Sequence, residues 1–431
     1  MEFPEKVLHY IWRYRLYKHV NLITKKGKSL VVLSPGILNN NAGPDFEYCR
    51  LRIGETEWAG AVELHLKSSD WYTHQHQRDE AYNNVILHVV YEHDGEIQLS
   101  DGTVPETLEL KPLISGNLLT KYNVLMQSKA WVPCQPYLPD IDYFVIEQWL
   151  ARLLTERLQE KSNDLSRLLT DKKADWEEVT YILLARNFGF KVNAIPFELL
   201  AKNTPYKLIS KNRSQPKLIE ALLFGQAGLL ERESFNDAYP NRLKQDYLHL
   251  QDRYQLVPIP ASTWKFLRMR PANFPTIRLA QFVAWCAGGE HLFSKILQCK
   301  SVEQLRQLFV ELPVHNYWTE HYVFDKTTKK HNSTLGISSI DNIIVNTVVT
   351  ILVGYGKYVG KEMYLYRAID LLEQLRGEQN RIISQFKHLG LEVKSAAASQ
   401  ALLQLKHAYC DQHKCLDCGI GLQVFKQNKT L

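Results

Sequence analysis

Between Val62 and Lys67 the chain alternates strictly between apolar and ionisable residues. Its ionisable residues are Glu63, His65 and Lys67. Because successive side chains of a β-strand point to opposite faces, this pattern predicts a strand with one polar face and one core face. The run from Glu47 to Ile53 alternates in a similar way, and Gly54-Glu55-Thr56 between the two runs is typical of a turn. The sequence therefore predicts a β-hairpin whose second arm carries three ionisable side chains on one face.

An aspartate, Asp45, follows Gly43-Pro44 at the start of the first arm. Magnesium-dependent sites that cleave phosphodiesters have an acidic residue on one strand and another on the next strand. A basic residue follows the second acidic residue two positions later. We expect Asp45 and Glu63 to bind the ion, and His65 or Lys67 to orient or deprotonate the attacking water. Two carboxylates suit Mg²⁺ or Mn²⁺, whereas a set that includes His65, His74 or His76 would favour a softer ion.

Local patterns predict a helix from Pro4 to Leu16, a strand from Leu30 to Leu33, the hairpin, a helix from Trp71 to Asn84 and a strand from Val85 to Tyr91. This order of helix, three strands, helix and strand resembles the core of the PD-(D/E)xK nuclease superfamily. The resemblance implies that Asp45 and Glu63 are metal ligands. The chain departs from that pattern at His65, which stands where the superfamily has lysine, while Lys67 comes two residues later. The catalytic role of Lys67 therefore stays open.

Several functions are compatible with these residues. The first is a metal-dependent nuclease that acts on DNA or RNA. The second is a non-catalytic nuclease-fold protein that binds nucleic acid or acts as a scaffold, which the departure at His65 keeps open. The third is hydrolysis of a small phosphate ester by the histidines around His74. A solvated strand face without a site is the structural alternative to all three.

The 431 residues are too many for one core, so we expect an α+β chain of several parts. Residues 1–115 are predicted to form the mixed α/β domain, 116–140 a proline-rich linker, 141–405 a mostly helical domain and 406–431 a cysteine-rich tail. Helical patterns recur within the third part. They cover Ile146 to Leu158, Trp176 to Phe188, Leu218 to Leu230, Thr276 to Trp285, Val302 to Phe309 and Tyr364 to Leu375.

The formal net charge of +6 is modest for this length and does not by itself indicate nucleic-acid binding. A local basic group is more informative, because arginine suits the phosphate backbone. We predict nucleic-acid contacts at Arg268, Arg270 and Arg278. The longest apolar segment, Ile343 to Gly354, contains Asn346 and is too short to span a bilayer. With no secretory signal in the first helix, we expect a cytoplasmic protein without a membrane anchor.

Three of the seven cysteines lie close together near the end of the chain, as Cys410, Cys415 and Cys418. In a chain with no secretory signal, clustered thiols favour a metal over a disulfide. We predict a structural zinc ion with His413 as the fourth ligand. Other possible fourth ligands are His407, Cys134, Cys286 and Cys299. The same spacing also occurs in iron–sulfur proteins, and reduced buried thiols without a metal are the remaining alternative.

A second resemblance extends over nearly the whole chain. It is carried by the segments Asn41 to Phe46, Gly60 to His65, Ser69 to Trp71, Ala185 to Phe190 and the cysteine-rich end from Tyr409 to Gly421. These segments resemble an uncharacterised bacterial family of a domain of unknown function. The resemblance implies a cytoplasmic bacterial protein but no chemistry, so the nuclease hypothesis depends on the strand pattern alone.

Overall fold

A computed structural model of the chain describes residues 3–288, 291–310 and 312–427. The fold is mixed α+β, with an N-terminal sheet followed by a helical region, as the sequence predicts. The chain divides into two compact units. The first unit comprises Met1–Trp149 and Leu405–Leu431, and the second comprises Leu150–Gln404.

Seven strands of the described chain form the sheet of the first unit. They are β1 Leu22–Ile23, β2 Ser29–Ser34, β3 Ile37–Leu38, β4 Phe46–Ile53, β5 Thr56–Lys67, β6 Val85–Glu92 and β7 Glu106–Glu109. Their order is β1-β2-β4-β5-β6-β7, and β3 pairs with β4 beside this path. Strand β5 is therefore central, and its residues from Ala61 to His65 are all buried. Polar side chains on this stretch are enclosed by the fold rather than solvated.

The predicted hairpin is confirmed. Strands β4 and β5 pair antiparallel, with Phe46 opposite Val62, and the register shifts at a bulge between Phe46 and Cys49. Strand β6 pairs with β5 in parallel, with His88 beside Glu63. β-Bulges re-aim the side chains next to them, and this one lies directly after Asp45. The hairpin and β6 together bring Asp45, Glu63 and His88 to one part of the sheet.

The predicted helix from Trp71 to Asn84 is wrong. The segment forms a short helix α2 Asp70–Thr73 and two 3-10 turns, His76–Arg78 and Glu80–Tyr82. Gln75 has a left-handed backbone with φ of 63° and ends α2, and Asp79 is extended. A tertiary contact and a local one accompany the break: Nε2 of His76 lies 3.3 Å from Oε1 of Glu63 on β5, and the His76 ring stacks on Tyr82 at 3.9 Å between centroids.

The other helices of the first unit are α1 Glu5–Arg13, α3 Gly116–Gln127 and α18 Gly419–Lys426, with a π-helical segment Leu405–Cys410. Helix α1 packs against β5. The segment 116–140, predicted as a linker, contains α3 and a 3-10 turn, Gln135–Asp140. It is tied to the C-terminal tail, since the side chain of Gln427 donates to the Asp140 carbonyl at 2.8 Å.

The second unit is mainly helical, and the predicted helices of this region are present. Its first helix is α4 Tyr143–Asp171, which begins within the first unit. The others are α5 Trp176–Phe188, α6 Ala194–Asn203, α7 Tyr206–Lys211, α8 Pro216–Gln226, α9 Ala238–Tyr254, α10 Pro275–Gly288, α11 Leu292–Gln298, α12 Val302–Gln307, α13 Ile337–Ile343, α14 Val349–Val359, α15 Met363–Gln374, α16 Arg381–His388 and α17 Ala396–Gln404. A π-helical segment, Ile344–Val348, joins α13 to α14, and two short strands, β8 His321–Val323 and β9 Lys326–Thr327, form a separate pair.

One continuous helical stretch, Ile337–Val359, is long and apolar enough to cross a membrane by length and composition. Its most apolar window is 67% buried inside the protein. A core helix of a globular protein meets the same criteria, so this stretch is weak evidence for a membrane span.

Candidate carboxylate–histidine site

Asp45 and Glu63 lie side by side at the junction of β4 and β5. The backbone N–H of Asp45 donates to Oε2 of Glu63 at 2.8 Å, and Oδ2 of Asp45 accepts from the Leu64 N–H at 3.0 Å. Glu63 is almost completely buried, with 4% of its surface exposed. These reciprocal bonds fix both carboxylates against the hairpin, so two of the predicted site residues share one location.

Three histidines converge beside Glu63. Among the described residues, His65, His74 and His76 form a group whose possible ligand atoms all lie within 4.8 Å of one another. Nε2 of His65 lies 3.2 Å from Nδ1 of His74. Oε1 of Glu63 lies 3.3 Å from Nε2 of His76 and 3.7 Å from Nε2 of His65. In a tetrahedral site with bonds of about 2.0–2.1 Å, neighbouring ligand atoms are about 3.3 Å apart, and these separations are close to that spacing.

The broken helix after β5 makes this convergence possible. In a regular helix, two residues two positions apart point about 200° apart around the axis, so His74 and His76 would face opposite sides. The left-handed Gln75 between them ends α2 and redirects the chain. Both imidazoles therefore reach Glu63 and His65 from a segment that the sequence pattern predicts to be helical.

His88 on β6 lies behind His65. Nε2 of His88 is 2.9 Å from Nδ1 of His65, and both rings are fully buried. A histidine that binds a metal through one ring nitrogen usually donates the N–H of its other nitrogen to a protein acceptor. If Nδ1–H of His65 donates to His88, Nε2 of His65 keeps a lone pair that faces His74 and Glu63.

Burial favours the neutral forms of His65 and His88. It lowers the pKa of His65 to about 2, assisted by repulsion from His88, His76 and His74. It also lowers the pKa of His88 to about 3. Burial raises the pKa of Glu63, while the contact with His76 acts in the opposite direction. Neutral imidazoles are the form that binds metals, and a bound cation would favour the ionised form of the buried carboxylate.

His9 on α1 is a residue that the sequence reasoning missed. Its Nε2 lies 3.1 Å from Oδ2 of Asp45 and 3.8 Å from Glu5, one helical turn earlier. Burial opposes protonation of His9, but the hydrogen bond and charge of Asp45 outweigh it, so the pKa of His9 is raised. The available signal was the spacing of Glu5 and His9 on a helix that packs against β5. Asp45 and His9 form an acid–base pair beside the histidine group.

A pocket of about 430 Å³ adjoins this pair, because His9 is one of its lining residues. Its cationic lining residues are Lys6, Arg13 and Lys414, and its one acidic residue is Asp417. His413 also lines this pocket. The excess of positive charge suits an anionic ligand next to the carboxylate–histidine site.

The other predicted site residues lie elsewhere. Lys67 is exposed, and its backbone N–H donates to Oδ2 of Asp70 at 2.9 Å. Arg268 and Arg270 are exposed in the second unit. Arg278 is buried, and its guanidinium donates to Asn273, Gln281 and Ser339. Arg278 is therefore a correction to the predicted nucleic-acid contacts, because its side chain is buried and both terminal nitrogens donate inside the fold.

The cysteine-rich tail also departs from the predicted ligand set. Cys410, Cys415 and Cys418 are buried, but His413 is exposed, and its Nε2 lies 3.2 Å from the carbonyl of Ser128. The fourth buried group near the three thiols is Cys134, whose thiol interacts electrostatically with Cys415 and Cys418. The structure therefore places Cys134, and not the His413 ring, beside the three buried thiols.

The fold and site define a mixed α+β protein with a buried carboxylate–histidine cluster on a central strand. The family model described as "Protein of unknown function (DUF2851)" matches residues 5–381, and the chain belongs to this family. The matched range includes every residue of the carboxylate–histidine site and ends before Cys410. Neither the curated proteins nor the solved structures searched gave a match.

Proposed function

We propose that this protein is a metal-dependent phosphodiesterase that cleaves DNA or RNA. The observation that carries the proposal is the convergence of His65, His74 and His76, with Oε1 of Glu63 3.3 Å from Nε2 of His76. Three imidazoles and one carboxylate suit a transition-metal ion, so Mn²⁺ or Zn²⁺ fits this donor set better than Mg²⁺. The role predicted for Asp45 changes accordingly, because its Oδ2 is engaged by Leu64 and His9.

Each residue has a distinct role in this proposal. Glu63 and the three histidines hold the ion, and His88 fixes the ring and tautomer of His65. The ion, when bound, activates a water molecule and stabilises negative charge on the phosphate. His9 exchanges a proton with the reacting groups, and Asp45 orients it through the 3.1 Å contact.

The pocket next to His9 supports a phosphate-containing substrate. Lys6, Arg13 and Lys414 would neutralise phosphate charge there, and their position beside His9 would direct one phosphodiester towards the site. Glu63 and His65 are buried, and the site is open at the exposed His74 and at Asp45 and His9, whose side chains are about one-fifth exposed.

The test is cleavage of labelled single-stranded DNA, double-stranded DNA and RNA by the purified protein with Mn²⁺, Zn²⁺ or Mg²⁺. Bis(p-nitrophenyl) phosphate serves as a small phosphodiester in parallel. We expect cleavage with Mn²⁺ or Zn²⁺ that disappears in Glu63→Gln. The matched control is Glu57→Gln, which changes an exposed glutamate at the other end of the same strand. This control should retain activity.

Other outcomes would overturn the proposal. A protein that binds the metal and the nucleic acid but cleaves neither nucleic acid nor the small ester would be the non-catalytic binding module. Cleavage of the small ester alone would support hydrolysis of a small phosphate ester. Equal activity in Glu63→Gln and Glu57→Gln would show that the reaction occurs elsewhere.

A further inference from the structure

Five of the seven cysteines belong to the first unit, and four of these, all except Cys49, lie outside the carboxylate–histidine site on segments that contact one another. Cys134 precedes the 3-10 turn Gln135–Asp140, and Cys410 ends the π-helical segment Leu405–Cys410. Cys415 begins the 3-10 turn Cys415–Asp417, and Cys418 is the N-cap of α18. All four are buried, with 7–8% of their surface exposed, and all are free thiols.

The four thiols form a fully connected cluster. Cys410 interacts electrostatically with Cys134, Cys418 and Cys415, Cys134 interacts with Cys418 and Cys415, and Cys415 interacts with Cys418. Every one of the six possible pairs is therefore close enough to interact. Thiols that only filled a core would not need to be neighbours of one another.

Specific contacts bring Cys134 to the other three cysteines. The segment that contains Cys134 is tied to the tail on both sides. Before it, the Ser128 carbonyl lies 3.2 Å from Nε2 of His413, and after it the Asp140 carbonyl accepts from the side chain of Gln427. This double attachment holds the loop against the tail, so the cluster does not depend on one contact.

Hydrogen-bond donors surround Cys418. The backbone N–H groups of Gly421 and Ile420 and the Trp149 side chain are directed at its sulfur. A Cβ atom at Gly421 would lie 2.0 Å from the Cys415 carbonyl oxygen, so this close turn requires glycine. Hydrogen-bond donors directed at sulfur are typical of thiolates that bind metals.

We propose that Cys134, Cys410, Cys415 and Cys418 together bind a metal centre through four thiolates. The site is independent of the phosphodiesterase proposal, and it replaces His413 with Cys134 as the fourth ligand. Four thiolates are the donor set of structural zinc sites and of iron–sulfur clusters.

The spacing of the sulfurs favours an iron–sulfur cluster over one zinc ion. Zinc–sulfur bonds of about 2.3 Å would place neighbouring sulfurs about 3.8 Å apart in a tetrahedral site. Among the described residues, no three of these thiols belong to a group whose ligand atoms all lie within 4.8 Å of one another. In a polynuclear cluster the cysteines bind different iron atoms, so their sulfurs lie further apart than around a single ion.

The position of the cluster links it to the basic pocket. Residues Gln412, His413, Lys414, Leu416 and Asp417 line that pocket and lie between Cys410 and Cys418 along the chain. A metal centre at the four cysteines would fix both ends of this loop and the turn at Cys415. A loop fixed in this way would hold Lys414 in a defined position at the pocket.

The test is the iron, acid-labile sulfide and zinc content of full-length protein purified without oxygen. We expect iron and sulfide in near-stoichiometric amounts, reduced several-fold or more in Cys134→Ser. Cys299→Ser, which changes a partly exposed cysteine of the second unit, should keep the wild-type content, as should His413→Ala. Manganese titration of Cys134→Ser would verify that the carboxylate–histidine site is still folded.

X-ray absorption on wild-type protein gives a second test that does not depend on a variant. All-sulfur ligation of the iron supports the site, and iron with a nitrogen or oxygen ligand would overturn it. Zinc in place of iron, lost in Cys134→Ser, would support the four-thiolate site and overturn the iron–sulfur cluster. Wild-type protein without either metal, or unchanged metal in Cys134→Ser, would overturn the proposal altogether.

Discussion

The two units bury ionisable side chains in different ways. In the second unit the side chains of Glu220 and Lys161 have hydrogen-bond partners of another kind: Tyr239 donates to Glu220, and Nζ of Lys161 donates to Asn346 and Gln400 at 3.0 Å. In the first unit imidazoles face each other, because the buried His65 contacts both the buried His88 and the exposed His74. A neutral imidazole has one N–H donor and one nitrogen acceptor, so facing imidazoles form a hydrogen bond only where a donor meets an acceptor. A bound cation can accept the lone pairs of several imidazole nitrogens at once.

This difference distinguishes ionisable side chains that are buried for structural reasons from side chains that form a functional site. Glu220 and Lys161 are supplied with hydrogen-bond partners by the fold itself. The histidines of the first unit, together with Glu63, have the donor chemistry and spacing of a metal centre. Substitutions in one unit at a time test whether metal binding and stability respond separately.

Removal of a proposed ligand should have the largest effect. We expect His65→Ala to weaken Mn²⁺ or Zn²⁺ binding by more than about a hundredfold. This loss exceeds the one expected when a residue that only hydrogen-bonds to a metal ligand is removed. Isothermal titration calorimetry measures the affinity, and circular dichroism verifies the fold. Lys161→Met, which removes a buried charge from the second unit, should leave this affinity unchanged. Equal losses in both variants would contradict the separation of the two units.

Glu220 should control the pH dependence of stability in the second unit. Burial raises the pKa of Glu220 to about 7, against the opposing hydrogen bond from Tyr239, so the native state keeps a proton that the unfolded state releases above its usual pKa of 4.5. Stability from this group is therefore present below pH 4.5 and lost as the pH rises through 7. Between pH 5 and pH 8 the free energy of unfolding of Glu220→Gln should therefore fall by about 3 kcal/mol less than that of the wild type.

Urea unfolding at several pH values measures this effect. The control is Glu233→Gln, which changes an exposed glutamate in the same unit. A pH dependence in Glu220→Gln that equals that of the wild type would show that Glu220 is ionised in the native protein.

The partner of His65 should have a smaller effect than a ligand. We expect His88→Leu to lower metal affinity by about 10- to 100-fold, because Nδ1 of His65 loses its partner. His88→Gln keeps an acceptor at this position and should lose less. Competition with a chelator of known affinity ranks the three proteins. A larger loss in the glutamine variant than in the leucine variant would exclude the positioning role.

The smallest expected effect concerns the broken helix. Gln75 has a left-handed backbone, which glycine adopts without strain and a β-branched residue adopts poorly. We expect Gln75→Gly to stay within about 1 kcal/mol of the wild type in the free energy of unfolding, with metal affinity kept. Gln75→Val should be destabilised by about 1–2 kcal/mol. A Gln75→Val variant that is more stable than the wild type would indicate a regular helix in this segment.

The success of the sequence predictions depends on how local their causes are. Helix α5 has the predicted bounds, because the Asp175 side chain accepts from the Glu178 N–H at its start and Gly189 follows its end. The hairpin of β4 and β5 follows from alternation and a short turn, which are also local. Glu63 and His65 were identified because they lie on one strand face.

The remaining features depend on contacts between distant parts of the chain. Stacking of His76 on Tyr82 and the contact of His76 with Glu63 replace the expected helix, and no local pattern contains that information. His9 reaches Asp45 only because α1 packs on β5. Cys134 joins the tail through tertiary contacts, so its sequence neighbourhood could not distinguish it from Cys286 or Cys299.

The most direct test of the carboxylate–histidine site is an anomalous-scattering map from crystals of the full-length protein with Mn²⁺ or Zn²⁺. The account predicts one strong peak within bonding distance, about 2.0–2.3 Å, of Glu63, His65, His74 and His76. A map in which these four side chains surround no peak, while the ion is bound elsewhere or not at all, would contradict it.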